Sequence, residues 1–204
     1  MNSNGMKVET ADKSTKISFE TLVSLPCNFC LAQCVQYKHE ILICGGRTNV
    51  NCYSYDTHKD EYKRICYYPD DTVLRGHCVV KMVDDNNPNA ITLLSFGGSR
   101  EIIRHTLVMK YMSVWDENKN RKEIKQESEW NEWTPLIGSD KKPVTIGRKG
   151  DDFFGARAVI GGRKKNLLFI TYYPKNIDVF DLTTLEYVKH EILPINEEID
   201  ITVL

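Results

Sequence analysis

The sequence has no long apolar run, no excess of either charge and no N-glycosylation sequon. Among its 204 residues, no apolar stretch approaches the roughly 18 residues that a transmembrane helix needs. The formal net charge of -1 gives no electrostatic reason to expect binding to nucleic acid or to an anionic membrane. Residues 1–16 lack the apolar core of a signal peptide. These absences predict a cytoplasmic protein that binds neither nucleic acid nor membrane.

Signatures of catalysis and of cofactor binding are also missing. There is no phosphate-binding loop and no dinucleotide fingerprint, and none of the five histidines stands in a Ser/His/Asp or His-x-x-x-His arrangement. The seven cysteines are odd in number and irregularly spaced, which favours free thiols in a reducing compartment over a disulfide framework. We therefore expect no catalytic residue and no cofactor.

Helical periodicity is the last feature that the chain lacks. No segment of about 12 residues keeps an apolar helical period. From residue 19 onward, short runs of Val, Ile, Leu, Tyr and Phe alternate with Gly, Pro, Asn and Asp, which is typical of strands joined by turns. The chain is therefore predicted to be all-β.

Three copies of one unit recur along the chain, at intervals of roughly 40 to 65 residues. Each copy has an apolar run, then an aromatic residue followed by Asp, then a second aromatic residue. The apolar runs of the first two copies end in the glycine pairs Gly45-Gly46 and Gly97-Gly98. The aromatic–Asp pairs are Tyr55-Asp56, Trp115-Asp116 and Phe180-Asp181, and the second aromatic residues are Tyr62, Trp133 and Tyr187. Such a repeat predicts a stack of similar units.

Each copy predicts four antiparallel strands bounded by turn residues. The first strands are expected over 32–37, 76–82 and 155–160, and the second over 40–44, 90–96 and 166–172. The third are expected over 51–56, between 105 and 115, and over 176–181, and the fourth over 62–68, 133–137 and 187–193.

These residues resemble the kelch motif, in which a strand ending in Gly-Gly is followed by an aromatic–Asp pair, a Trp or equivalent aromatic residue, and a Leu-Pro-like close. The resemblance covers residues 19–198. The third copy departs from it, because Thr171-Tyr172 stand in place of the glycine pair. The resemblance implies blades of four antiparallel strands around a central channel. The expected fold is a partial kelch-type β-propeller of about three four-stranded blades, with an additional unpaired strand at the N-terminus.

The repeats divide the chain into segments. Residues 1–18 are predicted to form a disordered polar tail, and residues 19–204 are predicted to form the partial propeller. Residues 19–26 have the spacing of a fourth strand that lacks the other three. The assigned repeats are 30–69, 74–138 with a charged insertion at 116–132, and 154–194, and 195–204 is read as the start of a further unit. Three blades fall short of the roughly four to eight that close a propeller, so we expect a fragment of a longer one.

The motif residues are predicted to be structural. A glycine pair at a strand end permits positive φ and a close backbone approach. The aromatic residue before Asp is an apolar anchor between sheets, and the Asp caps the next turn through backbone N–H groups. The second aromatic residue is expected to pack over the glycines, where no side chain obstructs it.

A cysteine cluster near the N-terminus suggests a zinc site. Cys27, Cys30, Cys34 and His39 would offer three thiolates and an imidazole. The repeat argues against this reading, because Cys34 aligns with a Cys and an Ala in the other two copies and is expected at a small, buried strand position. No metal site is predicted.

Four arginines at strand ends are candidates for a partner-binding rim, in line with the enrichment of Arg at interaction hot spots. They are Arg47, Arg75, Arg100 and Arg157. Solvated loop charges or salt bridges are the alternative interpretation. We predict a non-catalytic scaffold for protein–protein interaction, with self-association through open blade edges as a further possibility. The alternative function is a propeller domain of a larger enzyme or ubiquitin-ligase adaptor whose active or recruiting residues lie outside this chain.

Overall fold

The computed structural model describes residues 20–82, 91–98, 104–116 and 130–199. Within these ranges all regular structure is β: the strands form three four-stranded antiparallel sheets, and there is no helix. The predicted all-β class, with about three four-stranded antiparallel units, is confirmed. None of the three sheets closes on itself.

Strand order follows chain order in every sheet. The first sheet comprises β1 (Gln33–Tyr37), β2 (Glu40–Gly46), β3 (Asn49–Asp56) and β4 (Glu61–Tyr67). The second comprises β5 (Cys78–Met82), β6 (Ile91–Gly97), β7 (His105–Tyr111) and β8 (Thr134–Pro135). The third comprises β9 (Arg157–Gly161), β10 (Leu167–Tyr172), β11 (Asn176–Asp181) and β12 (Glu186–Ile192).

The second sheet is buried on both faces, and β6 shows why its sequence is almost continuously apolar. Side chains alternate between the two faces of a strand. Leu93 belongs to the core shared with the first sheet, whereas Leu94 and Phe96 belong to the core shared with the third. All three side chains are fully buried. A strand covered on both faces needs apolar residues at consecutive positions.

Two apolar cores therefore hold the three sheets together. The core between the first and second sheets includes Leu42, Cys52, Tyr68, Met109, Tyr111 and Trp133. The core between the second and third sheets includes Leu94, Phe96, Phe153, Leu168, Tyr172 and Phe180. The first strands lie next to one another, because β5 contacts β1 on one side and β9 on the other.

The structure departs from the sequence prediction at two strands. No strand forms among residues 20–32, in contrast to the unpaired strand expected over 19–26. A strand needs a ladder of backbone hydrogen bonds to a neighbour, whereas this segment makes isolated contacts, such as the bond from the Arg47 N–H to the Cys30 carbonyl oxygen. The expected strand over 133–137 is reduced to Thr134–Pro135, because Pro135 has no N–H to donate to the ladder.

Several predicted segments lie outside the described residues. These are the tail over 1–18, most of the charged insertion over 116–132, and Arg100. Residues 195–199, the described part of the segment read as a further unit, form no strand. No helix in the described part of the chain is both long and apolar enough to cross a bilayer.

Candidate functional site

Asp56 ends β3 and caps the turn that leads to β4, as its motif role predicts. Its Oδ1 accepts the backbone N–H groups of His58 at 2.9 Å and Lys59 at 3.1 Å. The turn closes with Asp60 at a positive φ of 54°, its N–H donating to the Asp56 carbonyl. Burial of the Asp56 carboxyl opposes ionisation, but the two N–H donors and the nearby His39 and Lys59 outweigh it and lower its pKa.

The third sheet repeats this turn. Asp181 ends β11, and its Oδ1 accepts the N–H groups of Thr183 at 2.7 Å and Thr184 at 3.4 Å. Leu185 takes the place of Asp60, with a φ of 59° and an N–H bond to the Asp181 carbonyl. The Thr183 N–H is the main reason that the pKa of Asp181 is lowered. The two turns are therefore structural equivalents.

In the second copy, the structure corrects the residue that was assigned as the aromatic member of the aromatic–Asp pair. Tyr55 and Phe180 are the next-to-last residues of β3 and β11. At the end of β7, the aromatic residue is Tyr111, and Trp115 lies beyond the strand. Tyr111 is fully buried and pairs across the ladder with Ile91. Because Met112 follows Tyr111, this sheet has no equivalent of the capping aspartate.

Trp115 instead connects the second sheet to the first. Its side chain is buried, and its indole Nε1–H donates to Ser54 Oγ at 2.9 Å. The Nζ atom of Lys63 lies 4.3 Å from the Trp115 ring centre. Asp116, the expected capping residue, is exposed. Trp115 is thus an inter-sheet anchor, but it lies beyond the end of β7 rather than at the strand position that the repeat predicts.

The glycine pair of the first copy occupies a crowded position. Gly45 has a φ of +56°, and a Cβ atom there would lie 2.3 Å from Leu74 Cδ1 and 2.9 Å from Tyr68 Cε2. A Cβ atom on Gly46 would lie 2.7 Å from the carbonyl oxygen of Cys30. The aromatic residue over Gly45 is therefore Tyr68 rather than Tyr62.

The second aromatic residues of the motif pack in two different ways. Tyr62 and Tyr187 pack against the aromatic residue of their own pair, with ring centres 4.8 Å from Tyr55 and 5.2 Å from Phe180. Trp133 stacks on Tyr68, the residue that follows β4, with ring centres 4.6 Å apart and planes 17° apart. Its Nε1–H also donates to the sulfur of Cys52 at 3.3 Å.

The second glycine pair makes room for two buried histidines. A Cβ atom on Gly97 would lie 2.8 Å from His77 Cα and 3.6 Å from His105 Cε1, and Gly98 has a φ of 119°. His77 Nε2 lies 3.0 Å from the Cys44 carbonyl oxygen, and His105 Nε2 lies 3.0 Å from Ser95 Oγ. Neither Nδ1 atom has a hydrogen-bond partner among the described residues.

Burial keeps both rings neutral. It lowers the pKa of His77 to about 4, although the Cys44 carbonyl acts in the opposite direction. Burial also lowers the pKa of His105 to about 3, with a smaller contribution from His77. These histidines are core residues, and their proximity is not visible along the chain, because His77 precedes β5 whereas His105 opens β7.

Three of the four candidate rim arginines lie at one edge of the stack, where the first strands begin. Arg47 follows β2, Arg75 precedes β5, and Arg157 opens β9. We call this group the arginine edge. All three are exposed. Arg75 lies 5.4 Å from the ring centre of Phe154, and Arg157 Nη1 donates to the carbonyl oxygens of Gly155 and Ala156.

The neighbouring loops of this edge are fixed to each other. The Gly155 N–H donates to the Gly76 carbonyl oxygen at 2.8 Å, and a Cβ atom on Gly76 would lie 2.5 Å from the Gly155 nitrogen. Among the described residues, no carboxylate lies within ion-pair distance of Arg47, Arg75 or Arg157. The alternative interpretation, that these three arginines form salt bridges, is therefore not supported by the described residues.

A charged network that sequence reasoning missed ties the connection between the second and third sheets to β11. Arg148 Nη2 donates to both carboxylate oxygens of the fully buried Asp178, at 2.8 and 2.7 Å. Tyr172 Oη and His190 Nδ1 contact the same carboxylate at 3.0 and 2.6 Å. The sequence feature that could have indicated this network is Asp178, an acidic residue in the middle of an apolar strand pattern.

The expected position of Cys34 needs correction. Cys34 is exposed rather than buried, because its neighbours Val35 and Tyr37 are the β1 side chains that face the second sheet. All seven cysteines are free thiols. His39 lies near Asp56 and His58, and these three residues are the one group of His, Cys, Asp or Glu in the described ranges whose ligand atoms are close enough to share a metal ion.

No protein-family model matches this chain, and no curated protein matches it.

Proposed function

We propose that this chain is a partial kelch-type β-propeller that acts as a non-catalytic scaffold for protein–protein interaction. The observation that carries the proposal is the stacking of three four-stranded antiparallel sheets with β1, β5 and β9 adjacent. Radial repetition of four-stranded sheets is the architecture of propellers, whose first strands meet near the axis. The equivalent capped turns after Asp56 and Asp181 support a repeated unit.

The arginine edge is the proposed contact surface for the protein partner. Its guanidinium groups project from backbone that is held by hydrogen bonds, so little backbone entropy is lost when a partner binds. Guanidinium groups recognise carboxylates with paired hydrogen bonds, which favours a partner with an acidic surface. We place this interaction in the cytoplasm, where free thiols persist.

Self-association through the open sheets is a second part of the proposal. The outermost strand β12 exposes Val188 at 60% and Ile192 at 68%. Unpaired strand edges with apolar side chains favour association between chains. Sedimentation velocity over a range of protein concentrations tests this part, and a constant monomer mass would refute it.

Charge reversal at the arginine edge tests the partner-binding surface. The edge variant carries three substitutions, Arg47→Glu, Arg75→Glu and Arg157→Glu. The control reverses three charges at the β9–β10 turn, at the opposite end of β9, with Arg163→Glu, Lys164→Glu and Lys165→Glu. Both variants are compared with the unmodified chain by affinity purification from a reducing extract and quantitative mass spectrometry.

Proteins retained by the unmodified chain and by the control, but lost by the edge variant, are the expected result. Equal retention by all three chains would place any partner elsewhere. Loss from both variants alike would show non-specific electrostatic capture. Circular dichroism establishes that each variant keeps the β signal of the unmodified chain.

A further inference from the structure

We propose that His39, Asp56 and His58 bind a divalent transition-metal ion at the turn end of the first sheet. Their ligand atoms all lie within 4.8 Å of one another. The set combines two imidazoles with one carboxylate, which are ligands that Zn²⁺, Co²⁺ and Ni²⁺ accept.

The fold brings the three side chains together from two neighbouring turns. His39 lies in the turn between β1 and β2, whereas Asp56 and His58 belong to the turn between β3 and β4. In an antiparallel sheet both turns lie at the same end. They are joined by Thr57, whose N–H and Oγ1 donate to the His39 carbonyl oxygen at 3.0 and 2.7 Å. The ligand-bearing backbone is therefore held in place before any ion arrives.

The distances suit coordination. A tetrahedral ion with ligands at about 2.0–2.1 Å separates neighbouring ligand atoms by about 3.3 Å. His39 Nε2 and Asp56 Oδ2 are 3.4 Å apart. The rings of His39 and His58 stack with centres 4.8 Å apart and planes 8° apart. A nitrogen lone pair lies in the plane of its imidazole ring, so the exposed His58 ring must rotate out of this stack to complete the third contact.

Asp56 is oriented as a metal-binding carboxylate should be. Its Oδ1 is occupied by the two turn N–H groups, which leaves Oδ2 directed at His39. Hydrogen bonds of this kind fix a ligating carboxylate in most metal sites. The Asp56 side chain is 2% exposed and the His39 side chain is 38% exposed. The carboxylate ligand is therefore buried, whereas the imidazole ligand remains accessible to an ion and to water.

The charges around the site are compatible with a cation. Lys59 is a cationic residue of the Asp56 turn, and its Nζ lies 5.1 Å from the ring centre of Trp115. Asp60 adds a second carboxylate to the same turn, and its Oδ1 accepts the Tyr55 hydroxyl at 2.7 Å. The Lys59 ammonium lowers the affinity for an ion, but Lys59 contacts the Asp56 carboxylate through its backbone N–H, on Oδ1, and leaves Oδ2 available.

Cobalt binding to the 204-residue chain tests the site, after chelator treatment and dialysis under reducing conditions. Co²⁺ is titrated while its visible d–d absorption is recorded, and Zn²⁺ is then added as a competitor. The variants are His39→Gln, His58→Gln and Asp56→Asn, the last of which keeps an acceptor for the turn N–H groups. His190→Gln is the matched control, because it removes an exposed histidine at a distant position.

We expect one equivalent of Co²⁺ to bind without thiolate-to-cobalt charge-transfer absorption, and Zn²⁺ to displace it. Each site variant should weaken binding by at least about 10-fold, since loss of even an outer partner costs that much, and His190→Gln should leave it unchanged. Three results would overturn the proposal. They are unaltered binding by His58→Gln, an equal loss in His190→Gln, and a thiolate band that assigns the ion to Cys27, Cys30 or Cys34.

Discussion

Gly45 is a position where a side chain would be unfavourable for two independent reasons. Its φ of +56° disfavours residues with a Cβ atom, and that atom would lie 2.3 Å from Leu74 and 2.9 Å from Tyr68. We expect Gly45→Ala to lower the free energy of unfolding by about 1–3 kcal/mol in urea denaturation. Gly150→Ala is the control, because Gly150 also has a positive φ but no atom within 4 Å of its Cβ position. An equal loss in both variants would show that crowding contributes nothing.

The buried histidines predict a loss of stability in mild acid. Their folded-state pKa values, about 4 for His77 and about 3 for His105, lie below the value of roughly 6.5 in an unfolded chain. The unfolded chain therefore takes up protons first as the pH falls. Above about pH 6.5 both histidines are neutral in both states, and the free energy of unfolding does not depend on their protonation. As the pH falls from there toward the folded-state pKa values, protonation of the unfolded chain lowers the free energy of unfolding progressively.

The slope of this loss is measurable. Once the pH is well below 6.5, each histidine contributes about 1.4 kcal/mol per pH unit. We expect His105→Gln, which removes one of the two titrating groups, to reduce the dependence of the unfolding free energy on pH between 7 and 5. Urea denaturation at several pH values provides the comparison, and identical slopes for both chains would contradict a neutral, buried His105.

At the scale of the element, strand positions were predictable because turn chemistry marks their ends. The predicted strand over 176–181 agrees with β11, and the strand over 51–56 ends with β3 at Asp56. Trp115 was misassigned because an aromatic–Asp pair is a two-residue signal that also occurs beyond a strand. The hydrogen-bonding register of β7, which identifies Tyr111, depends on its neighbour β6 and is not visible in the chain itself.

The candidate metal site was only partly predictable for the same reason. The strands expected over 32–37 and 40–44 leave His39 in the turn between them, and Asp56 was expected as a turn cap; both positions are found. The contact between them requires knowing that the turn after β1 lies beside the turn after β3. Spacing along the chain pairs His39 with Cys27, Cys30 and Cys34, a set that the repeat argued against, whereas the sheet places His39 next to Asp56 and His58.

The segment between the second and third sheets depends on one arginine. Asp178 is fully buried, and Arg148 is its cationic partner. Removing one member of a buried pair leaves the other charge uncompensated. The Arg148 side chain is 39% exposed, and Tyr172 and His190 still contact Asp178, so we expect Arg148→Met to cost about 1–3 kcal/mol, less than a fully buried pair would.

Hydrogen exchange provides the element-level measurement for this variant. Peptides covering 138–152 should exchange faster in Arg148→Met, because Arg148 also bonds Asp151 within that segment. Lys149→Met, at the exposed neighbouring position, is the matched control and should leave the exchange pattern unchanged. Faster exchange of the first sheet instead would mean that the substitution acts globally.

At the scale of the molecule, the second sheet is the only one of the three that is covered on both faces by described residues. Each outer sheet shares one core with it. The stack therefore has two separate apolar interfaces that meet in the backbone of β6. A substitution that destabilises one of the two cores should affect the other core only through the second sheet.

Adjacent leucines on β6 make this separation testable. Leu93 and Leu94 are both fully buried, but Leu93 belongs to the core with the first sheet and Leu94 to the core with the third. We expect Leu93→Ala and Leu94→Ala each to lower the free energy of unfolding by about 2–5 kcal/mol. Hydrogen exchange should increase mainly in the first sheet for Leu93→Ala and mainly in the third for Leu94→Ala. If both substitutions loosened the same outer sheet, the two leucines would share one core, and a stack with the second sheet in the middle would be ruled out.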